Sequence, residues 1–466
     1  MEAEGIPTVT LGRADFVGVF KNAVAGIGLA PAAAMVTFPM PIFLPGSDIA
    51  PVQARKQEFY DGLMRWKLDS GAAASERGHM IALDADSYES ALTRFNQLAI
   101  SNLWGDGLPL WLPTRERVDW ILRGAPAPES TVLGKMPPRG AVVTVESCAV
   151  ALAMAGGRPE YLPVLLAAVE AFLDPAMGTD QLQAASGSAF PVVIVNGPIR
   201  KQIRLNTGFG CLGPDPQHPA GASIGRALRL MQQNLGGALP GTGAMANYGG
   251  MRYTNAVFGE DEEGLPSGWP PHASERHGFS PGTNSISLAF ASGAANIRRR
   301  SARKETAEED ALQGMYRMAD FLRAPNLHCI PGYVDGTPGV LMIPNIVAQR
   351  MAELGWTQRS IREFLWEHSK IPMELLKRSG SVSWIEVDSD PVTRASLALD
   401  PWPIAAKADN LILVVAGGGH PTNSFWLQGY SPSVAGRRIA LPADYDKLLA
   451  EADRDLGCGS DACTIG

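Results

Sequence analysis

The chain has 466 residues, too many for one simple core, and its 45% hydrophobic and 19% charged residues are ordinary for a globular protein in water. A net charge of −7 gives no electrostatic basis for nucleic acid as the main partner. Five cysteines, an odd number in so long a chain, argue against a disulfide scaffold. The opening "MEAEGIPTVTLGRADF" lacks the basic-then-apolar order of a signal peptide, so a cytoplasmic location is expected.

Residues 1–75 predict a small α/β unit with a helical run "ADFVGVFKNAVAGIG", a strand "AMVTF" and a helix within "DIAPVQARKQEFYDGLMRWKL". The apolar stretch 25–46 is long enough to span a bilayer. Pro31, Pro39, Pro41 and Pro45 would remove hydrogen bonds that lipid cannot replace, so it reads as a buried strand and no membrane is expected. A helix is predicted over 85–101, and another after Thr114, which is placed to cap it. "TVESCAVALAMAGG" predicts a helix capped by Thr144 and stopped by Gly156 and Gly157, with Cys148 in the core.

"RPEYLPVLLAAVEAFLD" predicts another helix, "FPVVIVNGP" a strand buried on both faces, and "ASIGRALRLMQQNLGG" a helix capped by Ser223. The basic cluster from Arg298 to Lys304 runs into Glu305, Glu308, Glu309 and Asp310 and reads as a solvated helix start. Helix, strand and glycine-loop patterns recur in "PGVLMIPNIVAQRMAELG", "WTQRSIREFLWEHS" and "DNLILVVAGGGHPTNS", which suggests an internal duplication. The expected organisation is an α/β protein with glycine-rich strand-end loops. It comprises a small unit over 1–75, α/β bodies over 76–300 and 301–448, and a cysteine-containing tail over 449–466.

Gly208-Phe-Gly210-Cys-Leu-Gly213 matches G-x-G-x-x-G literally, yet about a dozen residues separate it from the strand. Pro214, Pro216 and Pro219 then block an immediate helix. No NAD or ATP motif stands in an acceptable context, and the cofactor and metal content stay open. Asn196, Arg200, Lys201, Arg204, Asn206 and Gly208 follow the buried strand and point to a loop that binds a small anion. Arg226, expected in the first turn of the next helix, is unfavourable to the helix dipole unless an anion lies there. Pairing of these arginines with surface carboxylates is the alternative.

Gly417, Gly418 and Gly419 follow a second apolar strand, with His420, Asn423 and Ser424 offering polar groups; Ser424 as a helix cap is the competing reading. Both glycine loops follow strands, so they could share one crevice. His272, Glu275, Arg276 and His277 group four ionisable residues in a third loop, where His277 or His420 could move a proton and Glu275 could tune it. Among the cysteines, Cys211 lies near Arg200 and Arg204 in sequence. Their charge is expected to lower its pKa and make it the best candidate nucleophile, ahead of Cys458 in the tail.

"GDGLPLWLPTRERVDWIL", "VTVESCAVALAMAGGRPEYLPVLLAAVEAFLDP", "VVIVNGPIRKQIRLNTGFGCLGP", "SERHGFSPGTNSISL" and "LILVVAGGGHPTNSFW" together resemble the large component associated with UGSC-type (seleno)proteins. That resemblance covers about residues 80–445. Residues 10–70 resemble the latter part of the family's small domain, whose U/C-G-S-C motif should precede such a segment and has no counterpart here. The resemblance implies thiol or selenol chemistry on a small molecule; redox or C–S/C–N bond chemistry and a homo- or hetero-oligomer are the accompanying expectations. It also implies a companion protein that carries the missing motif. Three functions follow as expectations: an enzyme acting on a small anionic substrate, a non-catalytic subunit completing a partner's site, and a metal-dependent hydrolase or lyase built on His272, Glu275 and His277.

Overall fold

The computed structural model describes residues 6–18, 20–21, 34–44, 46–65, 80–298, 306–323, 330–419, 422–431 and 433–456. His420, Cys329, Cys458 and Cys463, and much of the 25–46 stretch, lie outside the described residues. Strands β1 (Thr10–Arg13) and β2 (Met35–Phe38) pair in parallel, followed by helices α1 (Ala50–Ala54) and α2 (Lys56–Met64). Helix α3 (Tyr88–Ser101) is capped by Ser87 and α4 (Arg115–Leu122) by Thr114, as its position predicts. A hairpin of β3 (Val132–Met136) and β4 (Ala141–Thr144) comes next; its short strands carry no clear apolar alternation. Thr144 and Ser147 form a capping box that opens α5 (Val145–Met154), and α6 (Leu162–Phe172) and α7 (Thr179–Ala184) follow.

The main sheet takes strands from most of the remaining chain. Its first part holds β5 (Phe190–Asn196), α8 (Ile199–Gln202), α9 (Ala220–Asn234), β6 (Ala256–Gly259), α10 (His272–His277) and β7 (Ser285–Ile297). The next part holds α11 (Ala307–Leu322), β8 (Thr337–Ile343), α12 (Asn345–Glu353), α13 (Gln358–His368), α14 (Met373–Arg378), α15 (Ser381–Asp388) and α16 (Pro391–Ala395). The last holds β9 (Ile412–Val415), β10 (Ser424–Ser431), β11 (Ala435–Arg438) and α17 (Tyr445–Leu456). The strand order is β6-β5-β7-β10-β8-β9, with β11 added to β7. β5 has β6 parallel and β7 antiparallel beside it; β8 has β9 parallel and β10 antiparallel; β7 and β10 join the two triplets.

The apolar runs of β5 and β8 have a simple cause, since both faces of each strand are covered. Val193 and Val195 of β5 pack outward against α5, α6 and α9, whereas Val192 and Ile194 point inward. Leu341 and Ile343 of β8 pack outward against α11, α12 and α13, whereas Val340 and Met342 point inward to the same interior as Val192 and Ile194. The sheet is therefore curled around a core made by its own inner faces. Beyond the strand ends the two outer strands meet, where Asp261 N donates to Val415 O at 2.8 Å.

This is an α/β fold with a mixed sheet, in which the two triplets share one pairing pattern. Strands from both sides of residue 300 share one sheet. Helix α9 begins at Ala220, without a side-chain cap, so Ser223 lies inside it and Arg226 falls in its second turn. Ser424 caps no helix; it opens β10. Thr306 and Glu309 form the capping box that starts α11, in keeping with the expected helix after the basic cluster. Among the described residues no helix is long and apolar enough to cross a membrane.

Candidate functional site at the strand ends

The curl brings the carboxyl ends of β5, β6, β8 and β9 to one place. Directly after β6 stand four acids in a row, Glu260, Asp261, Glu262 and Glu263. Asn196, the last residue of β5, donates Nδ2 to Glu260 Oε2 at 2.6 Å and to Glu262 Oε1 at 2.9 Å, and Gly197 N donates to Glu262 Oε1 at 2.7 Å. Asn345, the first residue after β8 and its proline, donates Nδ2 to Asp261 Oδ2 at 2.9 Å. Two asparagines at matching strand ends thus hold the acidic run.

Glu260 is 0% exposed, and its Oε2 accepts from Asn196 and from His272 N at 2.7 Å. Its Oε1, Asn196 Oδ1 and His272 Nε2 have no hydrogen-bond partner among the described residues. Burial pushes the Glu260 carboxyl up to about 7, against the pull of its hydrogen bonds, and the neighbouring Glu262 adds to the rise. The last acid behaves differently, because Arg200 takes Glu263 through two bonds of 2.7 and 2.8 Å and holds that carboxyl down at about 2.

Both glycine loops reach this place. Gly417 N donates to Thr207 O at 2.9 Å, and Gly418 lies against the Phe209 ring, so closely that a Cβ there would come within 2.7 Å of it. Gly418 also has φ +79, so both its backbone and its surroundings demand glycine. Asn206 organises its own loop: Oδ1 accepts from Gly208 N, while Nδ2 donates to Phe209 O and to Asp215 Oδ2.

Several expected roles are corrected by what these side chains touch. Arg226 is bound to Asp106 through Nε and Nη2 at 2.8 and 3.0 Å and also donates to the carbonyls of Leu108 and Pro109, so its charge is met without an anion. Arg200 is met by Glu263 and Glu262, and Arg204 by Asp453. With those cations taken and apolar neighbours around it, Cys211 is buried and its thiol is pushed up to about 12, the reverse of an activated nucleophile. Cys148 is core, as expected.

Glu275 is held by Arg362 in a two-bond ion pair at 2.5 and 2.6 Å. His277 Nε2 bonds Ser287 Oγ at 2.9 Å, and burial with nearby Arg276 lowers its pKa to about 4. Burial and the charges of His277, Arg276 and Arg362 lower His272 to about 3. Both rings therefore stay neutral at ordinary pH. The His272 and His277 rings lie edge to face, 6.1 Å between centroids, but Glu275 is turned to Arg362, and among the described residues no three His, Cys, Asp or Glu are placed to hold a metal.

Further along the chain from Gly418, Thr422 and Ser424 line a small, open cleft beside α11 and α12. Asn423 lies in the loop between these two residues. Three arginines, Arg298, Arg317 and Arg350, line the cleft, and among the described residues Arg298 and Arg317 are not ion-paired. Arg350 lies 3.5 Å from Glu353. Arg317 and Arg350 repeat no motif, and only the tertiary fold brings α11 and α12 to the same cleft as Ser424. Glu260 was missed for a related reason: in "GEDEEG" it reads as one of four surface acids, and only the sheet buries it. No protein-family model matches the chain, and no curated protein or solved structure matches it.

Proposed function

We propose that the protein is an enzyme of the lyase type acting on a small anionic molecule, with Glu260 taking and returning a proton. The observation that carries this reading is the environment of Glu260. It is a fully buried carboxyl with one unpartnered oxygen and no cation bonded to it, where both glycine loops and four strand ends meet. A carboxyl poised near neutrality suits proton transfer to and from carbon, the step that C–N and C–S bond cleavage needs. In this reading Arg298, Arg317 and Arg350 take the substrate's negative charge at the cleft lined by Thr422 and Ser424, on the chain segment that follows the second glycine loop. Access to Glu260 is through movement of the glycine segment 417–419. The surroundings of Cys211 lend no support to thiol chemistry at that residue.

The test is a panel of small carboxylates bearing amino or thioether leaving groups, incubated in D2O and followed by proton NMR for exchange or elimination. Turnover should fall at least ~100-fold in Glu260→Gln, the scale of a lost general base. Arg317→Ala should act mainly on KM. Absence of exchange and elimination across the panel would sink the acid–base reading.

A second reading is that the chain completes the site of a thiol- or selenol-bearing companion, as the resemblance to the UGSC-type large component implies. Ile100 at the end of α3 and Leu103, Trp104, Leu108 and Trp111 after it are exposed apolar residues, which favours a partner surface. Native mass spectrometry of the protein co-expressed with its genomic neighbours should then retain a protein with a C/U-G-S-C motif. A chain that emerges alone or as a homo-oligomer removes this reading.

A further inference from the structure

Three residues beyond Arg226, α9 carries Arg229, which faces the opposite end of β5 and β6. Arg229 is 5% exposed, and Arg252, shortly before β6, is 3% exposed. Among the described residues neither is ion-paired; Asp106, the acid whose field reaches Arg229, is already bound by Arg226. Their partners are backbone carbonyls only. Arg229 Nη2 donates to Ala238 O at 3.1 Å; Arg252 Nε donates to Ala189 O at 2.8 Å and Nη2 to Gln183 O at 3.4 Å. Burial, with the like charge of Arg252 second, drives Arg229 down to about 9, and burial drives Arg252 to about 10.

Unused donors gather around this pair. Nη1 of both arginines lacks a partner, as do both side-chain amide atoms of Gln183 and of Gln232, each 0% exposed. Gln232 lies one turn beyond Arg229 on the same face of α9. Ala238 ties the two together, since its N donates to Gln232 O and its O receives Arg229. Gln183 is the residue whose carbonyl receives Arg252. Among the described residues the two buried guanidinium groups lack a counter-charge, and the two buried amides lack partners for nitrogen and oxygen alike, against the usual rule for buried polar groups.

We propose that this cluster is a binding site for a small doubly charged oxyanion of the phosphate type, held by Arg229 and Arg252 and by the amides of Gln183 and Gln232. The two cations set the charge of the ligand, and four neighbouring donor groups exceed what a single carboxylate needs. The site is separate from the strand-end crevice, because Ala189 and Asn255 precede β5 and β6 whereas Glu260 follows β6. The glycine-rich segment 239–250 lies along residues 184–188, where Met245 N donates to Ala184 O and Ser188 Oγ accepts from Tyr248 N and Gly249 N. Displacement of that segment admits the anion.

Two measurements test the site in the full chain. Purified protein is denatured and the released anion is assayed as inorganic phosphate and by mass spectrometry, which separates free phosphate from a phosphate ester. Exhaustively dialysed protein is then melted with added phosphate at fixed ionic strength. About one phosphate group per chain should be released, or Tm should rise by about 3 °C at phosphate a hundredfold above its Kd. Arg229→Met and Arg252→Met should lose both signals while keeping native circular dichroism, and Gln183→Leu should weaken binding about 10-fold. Gln183→Leu serves as the readout if either arginine variant fails to fold. No released phosphate together with no phosphate-specific rise would overturn the proposal. An equal rise with chloride, or unchanged binding in all three variants, would overturn it too.

Discussion

Glu260 and His272 share a hydrogen bond, yet burial moves their pKa values in opposite directions along the pH scale. The Glu260 carboxyl, up from near 4.5 to about 7, keeps its proton longer in the folded chain than in the unfolded one. The folded state therefore binds more protons between those values, and stability falls as pH climbs through that window, by on the order of 3 kcal/mol in total. Glu260→Gln places an amide nitrogen at the unpartnered oxygen and leaves the other oxygen to Asn196 and His272. Urea melts of this variant should show that slope removed between pH 4.5 and 7. His272 is lowered from 6.5 to about 3, so its contribution is intact above 6.5 and is lost as pH falls below it, when the unfolded chain takes up the proton first. His272→Gln should flatten the acid side of the same stability curve; an unchanged acid limb would mean that the ring is not enclosed as described.

At the scale of elements, α9 shows how one helix divides its arginines. Arg226 fastens the helix to the 105–109 turn through Asp106, whose side chain is 4% exposed, while Arg229 one turn later faces the interior without an acid. Removing Arg226 strands a buried carboxylate, so Arg226→Ala should cost about 3–5 kcal/mol in urea unfolding. Anion affinity at the Arg298–Arg317–Arg350 cleft should be unchanged. A loss of affinity at unchanged stability would return Arg226 to a binding role. Helix starts were readable where capping chemistry is local: Thr114, Thr144 and Thr306 each accept from the third following backbone N–H. Thr144→Ala should cost about 1 kcal/mol by thermal melting. The start of α9 was misread because Pro219 opens it with no side-chain cap, and Ser223 inside the helix looks locally like one.

In the whole molecule, the pairing of β7 with β10 makes one sheet of two similar halves, and the inner faces of both halves form a single core. Neither half can bury its strands alone. Residues 306–456 expressed separately would expose Val340, Met342, Ile412 and Val414, and are expected to lack a cooperative melt by circular dichroism. A cooperative transition in that fragment would instead establish an independent domain. The same closure makes the strand-end crevice, because Asp261 and Val415 meet only when the sheet has curled fully.

The chain by itself determined the class of fold, most of its helices, the buried strands β5 and β9, and the meeting of two glycine loops at strand ends. These features depend on periodicity, caps and glycine, which act within a few residues. Which charges are free was decided by tertiary structure alone. Arg200, Arg226 and Glu275 looked available and are ion-paired across 63, 120 and 87 positions of sequence, whereas Glu260, Arg229 and Arg252 looked ordinary and are buried with bonding capacity unused. Charge pairing and desolvation depend on distances through space, and local pattern carries no record of them.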